Sequence, residues 1–170
     1  MHISALEEYG LRCAIHLATL GQGETLAASQ IAEREGLSVQ YASKVMHLFR
    51  KAGLVQAVRG MQGGFRLTKP AVEIPLKSVL ESLKAVRGSK SFCEQHSGQQ
   101  SECVRLHNCS VRPVWQVLTR YFDSVLEKVS LGDLARTEDE AKKRMEVFAR
   151  AEAERVRQKF TKATANELKG

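Results

Sequence analysis

Three of the four cysteines in this 170-residue chain fall within seventeen residues: Cys93, Cys103 and Cys109, with His96 and His107 between them. Soft thiolates at this density suit an iron–sulfur cluster or zinc. Structural zinc usually takes cysteine pairs about two to four residues apart on a tight knuckle, and the gaps here are nine and five residues. The residues therefore favour a cluster. Zinc with His107 as a fourth ligand, a metal-free redox pair of thiols and three idle cysteines stay open beside it. The fourth cysteine, Cys13, stands apart: about 20° from Leu6 on a helical wheel, it shares an apolar stripe with Leu6, Tyr9, Leu17 and Leu20 and reads as core.

Other chemistries find less support. No nucleophile with a base, no carboxylate pair and no cofactor fingerprint stands at diagnostic spacing, so the chain does not read as an enzyme. Cys103 or Cys109 with His107 could imitate a Cys–His pair, but in a polar loop without an oxyanion donor signal. The glycines around Gly60, Gly63 and Gly64 lack both the Walker spacing and a following helix. A net charge of +7 favours polyanionic partners, and it partitions: residues 1–90 carry net +5 and residues 136–170 net +3. No apolar run suits a membrane span or a secretory leader. A cytoplasmic location is expected, where thiols stay reduced and disulfides are rare.

Those cysteines need elements to place them. Residues 3–20 carry the helical stripe of Cys13, with Glu8, Arg12 and His16 on the polar face, where Glu8 would make an ordinary solvated contact with Arg12. Residues 25–53 read as a helix-turn-helix: Ser29 caps a helix bearing Ile31 and Ala32, Gly36 ends it, and Ser38 caps a second helix that buries Tyr41, Val45, Leu48 and Ala52. Away from that stripe the second helix shows Gln40, Ser43, Lys44, His47, Arg50 and Lys51, many donors and no carboxylate. Such a face suits the DNA major groove. Alternation over 54–58 and 65–67 around a glycine turn gives a hairpin whose tip carries Arg59, Gln62, Gly63 and Arg66, suited to a close approach to DNA.

The expected fold class is mainly α with a small β-hairpin wing, a winged helix-turn-helix plus a long dimerisation helix. Residues 1–87 form the DNA-binding domain, with a short helix over 76–83 packing back on the wing. The cysteine loop spans 88–110, the dimerisation helix 111–135 and a charged, solvated tail 136–170. Val111, Val114, Trp115, Leu118, Tyr121, Phe122 and Val125 make that helix too apolar to stand alone, which is why it reads as a homodimer seam; Pro113 fixes its start. The DNA-binding candidates are Ser38, Gln40, Tyr41, Ser43, Lys44, His47, Arg50, Arg59, Gln62 and Gly63.

Several stretches together resemble a known family. Met1-His2-Ile3-Ser4 followed by Glu8-Tyr9-Gly10-Leu11-Arg12, the run Arg50 to Val55, the wing Val58 to Leu67, and a three-cysteine loop before a long helix are similar to the bacterial IscR/NsrR family of winged-helix regulators, in register over residues 1–135. The resemblance implies a homodimer on palindromic DNA whose occupancy responds to a [4Fe-4S] or [2Fe-2S] cluster held by Cys93, Cys103 and Cys109. Family members take the fourth ligand from a histidine three residues past the last cysteine, here Arg112, or from an acidic residue of the other subunit's first helix, here Glu8. The first cysteine gap is nine residues here against the five common in the family. A carboxylate on a soft iron site would leave that iron open to nitric oxide, oxygen or superoxide. The alternative reading is a winged-helix regulator without a cluster, using zinc, thiol oxidation or a small-molecule effector.

Overall fold

A computed structural model describes residues 3–21, 23–60, 63–84 and 99–167. Ser4 opens the first helix, α1 (Ala5–Ala18), through a capping box: its hydroxyl accepts from the Glu7 N–H while Glu7 accepts from the Ser4 N–H. Helix α2 (Ala28–Glu35) starts two residues earlier than Ser29 allows as a cap. Gln30 supplies the start instead, its side-chain oxygen accepting from the Ala27 N–H at 2.8 Å. Gly36 ends α2, and the Ser38 hydroxyl accepts from the Tyr41 N–H to open α3 (Val39–Lys51).

The buried stripe of α3 is Ala42, Val45, Met46 and Phe49, rotated from the expected one. Tyr41 and Leu48 are half-buried and Ala52 is exposed. The rotation follows from α1, whose Cys13, Ala14 and Leu17 meet the small Ala42 and the larger Met46 and Phe49 in one core with Ile31 and Leu83. Burying a side chain such as Phe49 contributes about 1.5–3 kcal/mol.

Strands β1 (Val55–Val58) and β2 (Gly64–Leu67) pair antiparallel, with Val55 opposite Leu67 and Val58 opposite Gly64. Leu26 adds an isolated bridge to Phe65, which ties the wing to the segment before α2. After a 3₁₀ turn (Ala71–Glu73), α4 (Leu76–Lys84) packs on α1 and α3 rather than back on the wing. Gly10 makes the crossing with α1 close: a Cβ there would lie 2.5 Å from the Leu83 side chain.

The long helix α5 (Arg112–Lys128) begins with Pro113 in its first turn, where a missing N–H costs nothing. Backbone bonds from Leu76 to Val129 and from Leu131 to Ile74 fasten its end to the start of α4. Ser130 and Asp133 form a capping box at the one-turn helix α6 (Leu131–Leu134). The charged segment 136–170 contains the helix α7 (Glu138–Glu167). Arg144 pairs with Asp133 at 3.1 Å, Ser124 donates to Glu152 at 2.9 Å, Lys128 pairs with the same carboxylate, and Met145 and Phe148 lean on the core. A sequence rich in alanine and alternating charge has the propensity for such a helix. The architecture is a mainly α winged helix-turn-helix with a two-stranded wing and a long helix.

Candidate nucleic-acid interface and cysteine loop

On α3 the apolar stripe turns inward, so the opposite face is left to solvent. Ser38, Gln40, Ser43, Lys44, His47 and Arg50 are all exposed, and the helix contains no carboxylate. Tyr41 differs. Its ring stands edge-on to Tyr9 with centroids 5.9 Å apart, so it belongs as much to the α1–α3 packing as to the exposed face.

At the wing, Arg59 is exposed and Gly63 is half-buried beneath the tip. A Cβ on Gly63 would lie 2.5 Å from the Val58 carbonyl oxygen, so the turn closes only with glycine there. Gln62 lies outside the described residues. Arg66 on β2 has a buried Nε–H without a hydrogen-bond partner among the described residues. The sequence placed Arg66 at the hairpin tip, but burial of its spare donor is a tertiary result that spacing does not show.

The cysteines separate into two kinds. Cys13 is fully buried, and burial, reinforced by the nearby Glu35 carboxylate, pushes its thiol up to about 11. It is a packing residue. Cys103 and Cys109 are free, partly exposed thiols in a turn-rich loop ahead of α5. The Leu106 N–H donates to the Cys103 carbonyl at 2.9 Å, and the Arg112 N–H donates to the Cys109 carbonyl at 3.3 Å. From the first residue of α5 the Arg112 guanidinium reaches back to the Arg105 carbonyl at 3.1 Å and to that of Leu106. Cys93 and His96 lie outside the described residues, and among the described residues no three His, Cys, Asp or Glu side chains converge on one point.

Glu8 is exposed on α1. Arg12 turns away from it, pairing instead with Glu35 of α2 at 2.6 Å, where His16 also approaches the same carboxylate at 2.6 Å. A half-buried carboxylate held by two bases outcompetes a solvated neighbour on the same helix. Sequence spacing misses this clamp because Glu35 lies nineteen residues from His16, on another helix. The Glu8 carboxylate has no ion pair or hydrogen bond among the described residues.

Along α5 the stripe expected as a seam lies in water: Val111 is 52% exposed, Val114 55%, Trp115 40%, Leu118 45% and Phe122 38%. No residue of α5 is fully buried. No helix among the described residues is long and apolar enough to cross a membrane.

Known proteins share this arrangement. The profile of the family described as "Rrf2: Iron-dependent Transcriptional regulator" matches residues 3–137. The protein rrf2 of Nitratidesulfovibrio vulgaris strain Hildenborough is 28% identical over 136 residues, covering 80% of this chain and 88% of that protein. Among solved structures, IscR of T. potens superposes with a TM-score of 0.63 at 28% identity, covering 79% of this chain and 85% of its own. CymR of B. subtilis, titled the global cysteine regulator, gives 0.64 at 25% identity, with 79% and 96% covered. The family match stops just short of α7.

Proposed function

Since the chain belongs to the Rrf2 family of transcriptional regulators, we propose that it is a homodimeric regulator that binds palindromic DNA and whose operator binding responds to an iron–sulfur cluster on the Cys93–Cys109 loop. The observation that carries this reading is the placement of two free, partly exposed thiols directly ahead of a helix whose large apolar side chains stay in water. One element thereby joins a soft-ligand loop to a surface that a second copy would cover.

The reader face supports DNA as the partner. Lys44, Arg50 and Arg59 supply charge for phosphates, while Gln40, Ser43 and His47 are sized to reach base edges from a helix in the major groove. Ser38 and the opening N–H groups of α3 would meet a phosphate favourably. Two copies joined along α5 would present two such helices related by a two-fold axis, and a two-fold dimer reads a palindrome.

The donor set fits a cluster. Cys103 and Cys109 offer soft sulfur ligands free of any disulfide among the described residues, Cys93 would supply the third, and Glu8, whose carboxylate is unengaged among those residues, would serve as a hard fourth ligand from the second subunit. When bound, the cluster supplies an iron site that reacts with nitric oxide, oxygen or superoxide. The chain's own residues convert this to DNA affinity: Glu8 lies one residue before Tyr9, whose ring packs on Tyr41 at the start of α3. A second reading, thiol oxidation without a cluster, draws on the comparable likeness to CymR, whose Staphylococcus aureus form is also solved oxidised, at 27% identity and a TM-score of 0.64.

Selection of operator DNA from a random pool with anaerobically purified protein tests the function. The expected result is a palindrome whose affinity changes at least about tenfold, or about 1.4 kcal/mol, after the cluster is removed by a chelator. A selected site bound equally by both forms contradicts cluster control, and no selected site contradicts the regulator itself.

A further inference from the structure

Arg112 stands at the junction of the cysteine loop and α5, and three of its N–H groups are engaged there. Its guanidinium spans the Arg105 and Leu106 carbonyls while its backbone N–H holds that of Cys109, and Leu106 closes the same stretch on Cys103. The segment between the two thiols is thus tied to the first turn of the helix by a single side chain. The Nε–H of Arg112 is buried and has no partner among the described residues. A buried donor left unmade is unfavourable.

We propose that Arg112 is a positioning residue for the cysteine site: its terminal N–H groups hold the Cys103–Cys109 turn in ligand-presenting shape, and its Nε–H and charge serve an anionic sulfur centre on that loop. The second half rests on the cluster reading given above. Thiolates and sulfide bound to iron carry net negative charge, so a fixed cation and an N–H donor beside them favour the reduced form. Lysine would keep the charge without the rigid plane that fixes Nη2 on the two carbonyls, and without the Nε–H.

Arg112→Ala and Arg112→Lys separate the two roles. In reduced, metal-free protein, alkylation by iodoacetamide followed peptide by peptide should quicken at Cys103 and Cys109 by roughly fivefold in both variants, the effect of losing about one net hydrogen bond, with Cys13 unchanged as the internal control for an intact fold. After anaerobic loading with iron and sulfide, the cluster of Arg112→Ala should have a lower reduction potential than wild type, and that of Arg112→Lys should lie between them. Wild-type alkylation rates in both variants overturn the positioning role, and an unshifted potential in Arg112→Ala overturns the role of the charge and Nε–H. Wild-type protein that takes up no iron and sulfide overturns the cluster reading instead, while the alkylation arm still decides whether Arg112 holds the loop.

Discussion

Between Ala5 and Lys84 the apolar stripes close on one another, and Cys13, Ile31, Val45, Met46, Phe49 and Leu83 are all buried. Between Cys103 and Phe122 the same kinds of side chain, Val104, Val114, Leu118 and Phe122 among them, remain exposed. The first region completes itself with its own caps and core. The second offers thiols and an exposed apolar stripe that lack what would satisfy them. Self-sufficiency in one half and incompleteness in the other is what the proposed function, a reader joined to a sensor and a dimer contact, requires.

The difference can be broken most forcefully from the reader side. Phe49→Ala, at the centre of the core, should cost about 3–5 kcal/mol by chemical denaturation; a loss below about 1 kcal/mol would mean the reader is no tighter than α5. Leu118→Asp should leave the circular dichroism of the reader intact while shifting sedimentation from dimer to monomer, with a dissociation constant raised roughly a hundredfold by a charge buried in an apolar contact. Lys44→Ala should weaken operator binding and flatten the slope of log affinity against log salt by about 0.9, the change expected when one phosphate is no longer neutralised, read by fluorescence anisotropy at several salt concentrations.

Two smaller effects sharpen the boundary. Burial works against ionisation of Asp133, yet hydrogen bonds from Ser130 and Arg144 outweigh it and hold the carboxyl below its ordinary range. A folded-state value depressed in this way stabilises the fold above the unfolded value near about pH 4 and is lost as pH falls through the folded one. Asp133→Asn should therefore cost about 1 kcal/mol at pH 7, and the difference from wild type should vanish in acid; a constant difference down to low pH would remove the carboxylate from the account. Cys103→Ala should change folding stability by no more than about 0.5 kcal/mol, because the thiol contributes nothing to the core, while losing any bound iron.

Much of this was legible in the residues. Helix and strand period, the Ser38 cap, Gly36 and the Pro113 start placed the winged helix and the long helix, and the donor-rich face of α3 was evident from Gln40 to Arg50. The failures have physical causes. Ser29 was the expected cap of α2, but a glutamine reaching back to the Ala27 N–H outweighed a hydroxyl two residues late. The rotation of α3 by Ala42 and Phe49 was settled by α1, which periodicity within α3 alone cannot weigh. Arg12 chose Glu35 on another helix over Glu8 on its own. Arg112 gave no signal because its partners are backbone carbonyls, which every residue carries.

The central claim is that the exposed thiols hold an inorganic sulfur centre, and it is tested most directly by assaying iron and acid-labile sulfide in protein purified without oxygen, beside Cys103→Ala prepared identically. The account predicts brown protein with iron and sulfide in equal amounts and a colourless, folded variant lacking both. Colourless wild-type protein that contains zinc or no metal at all, and binds its operator as the variant does, would contradict it.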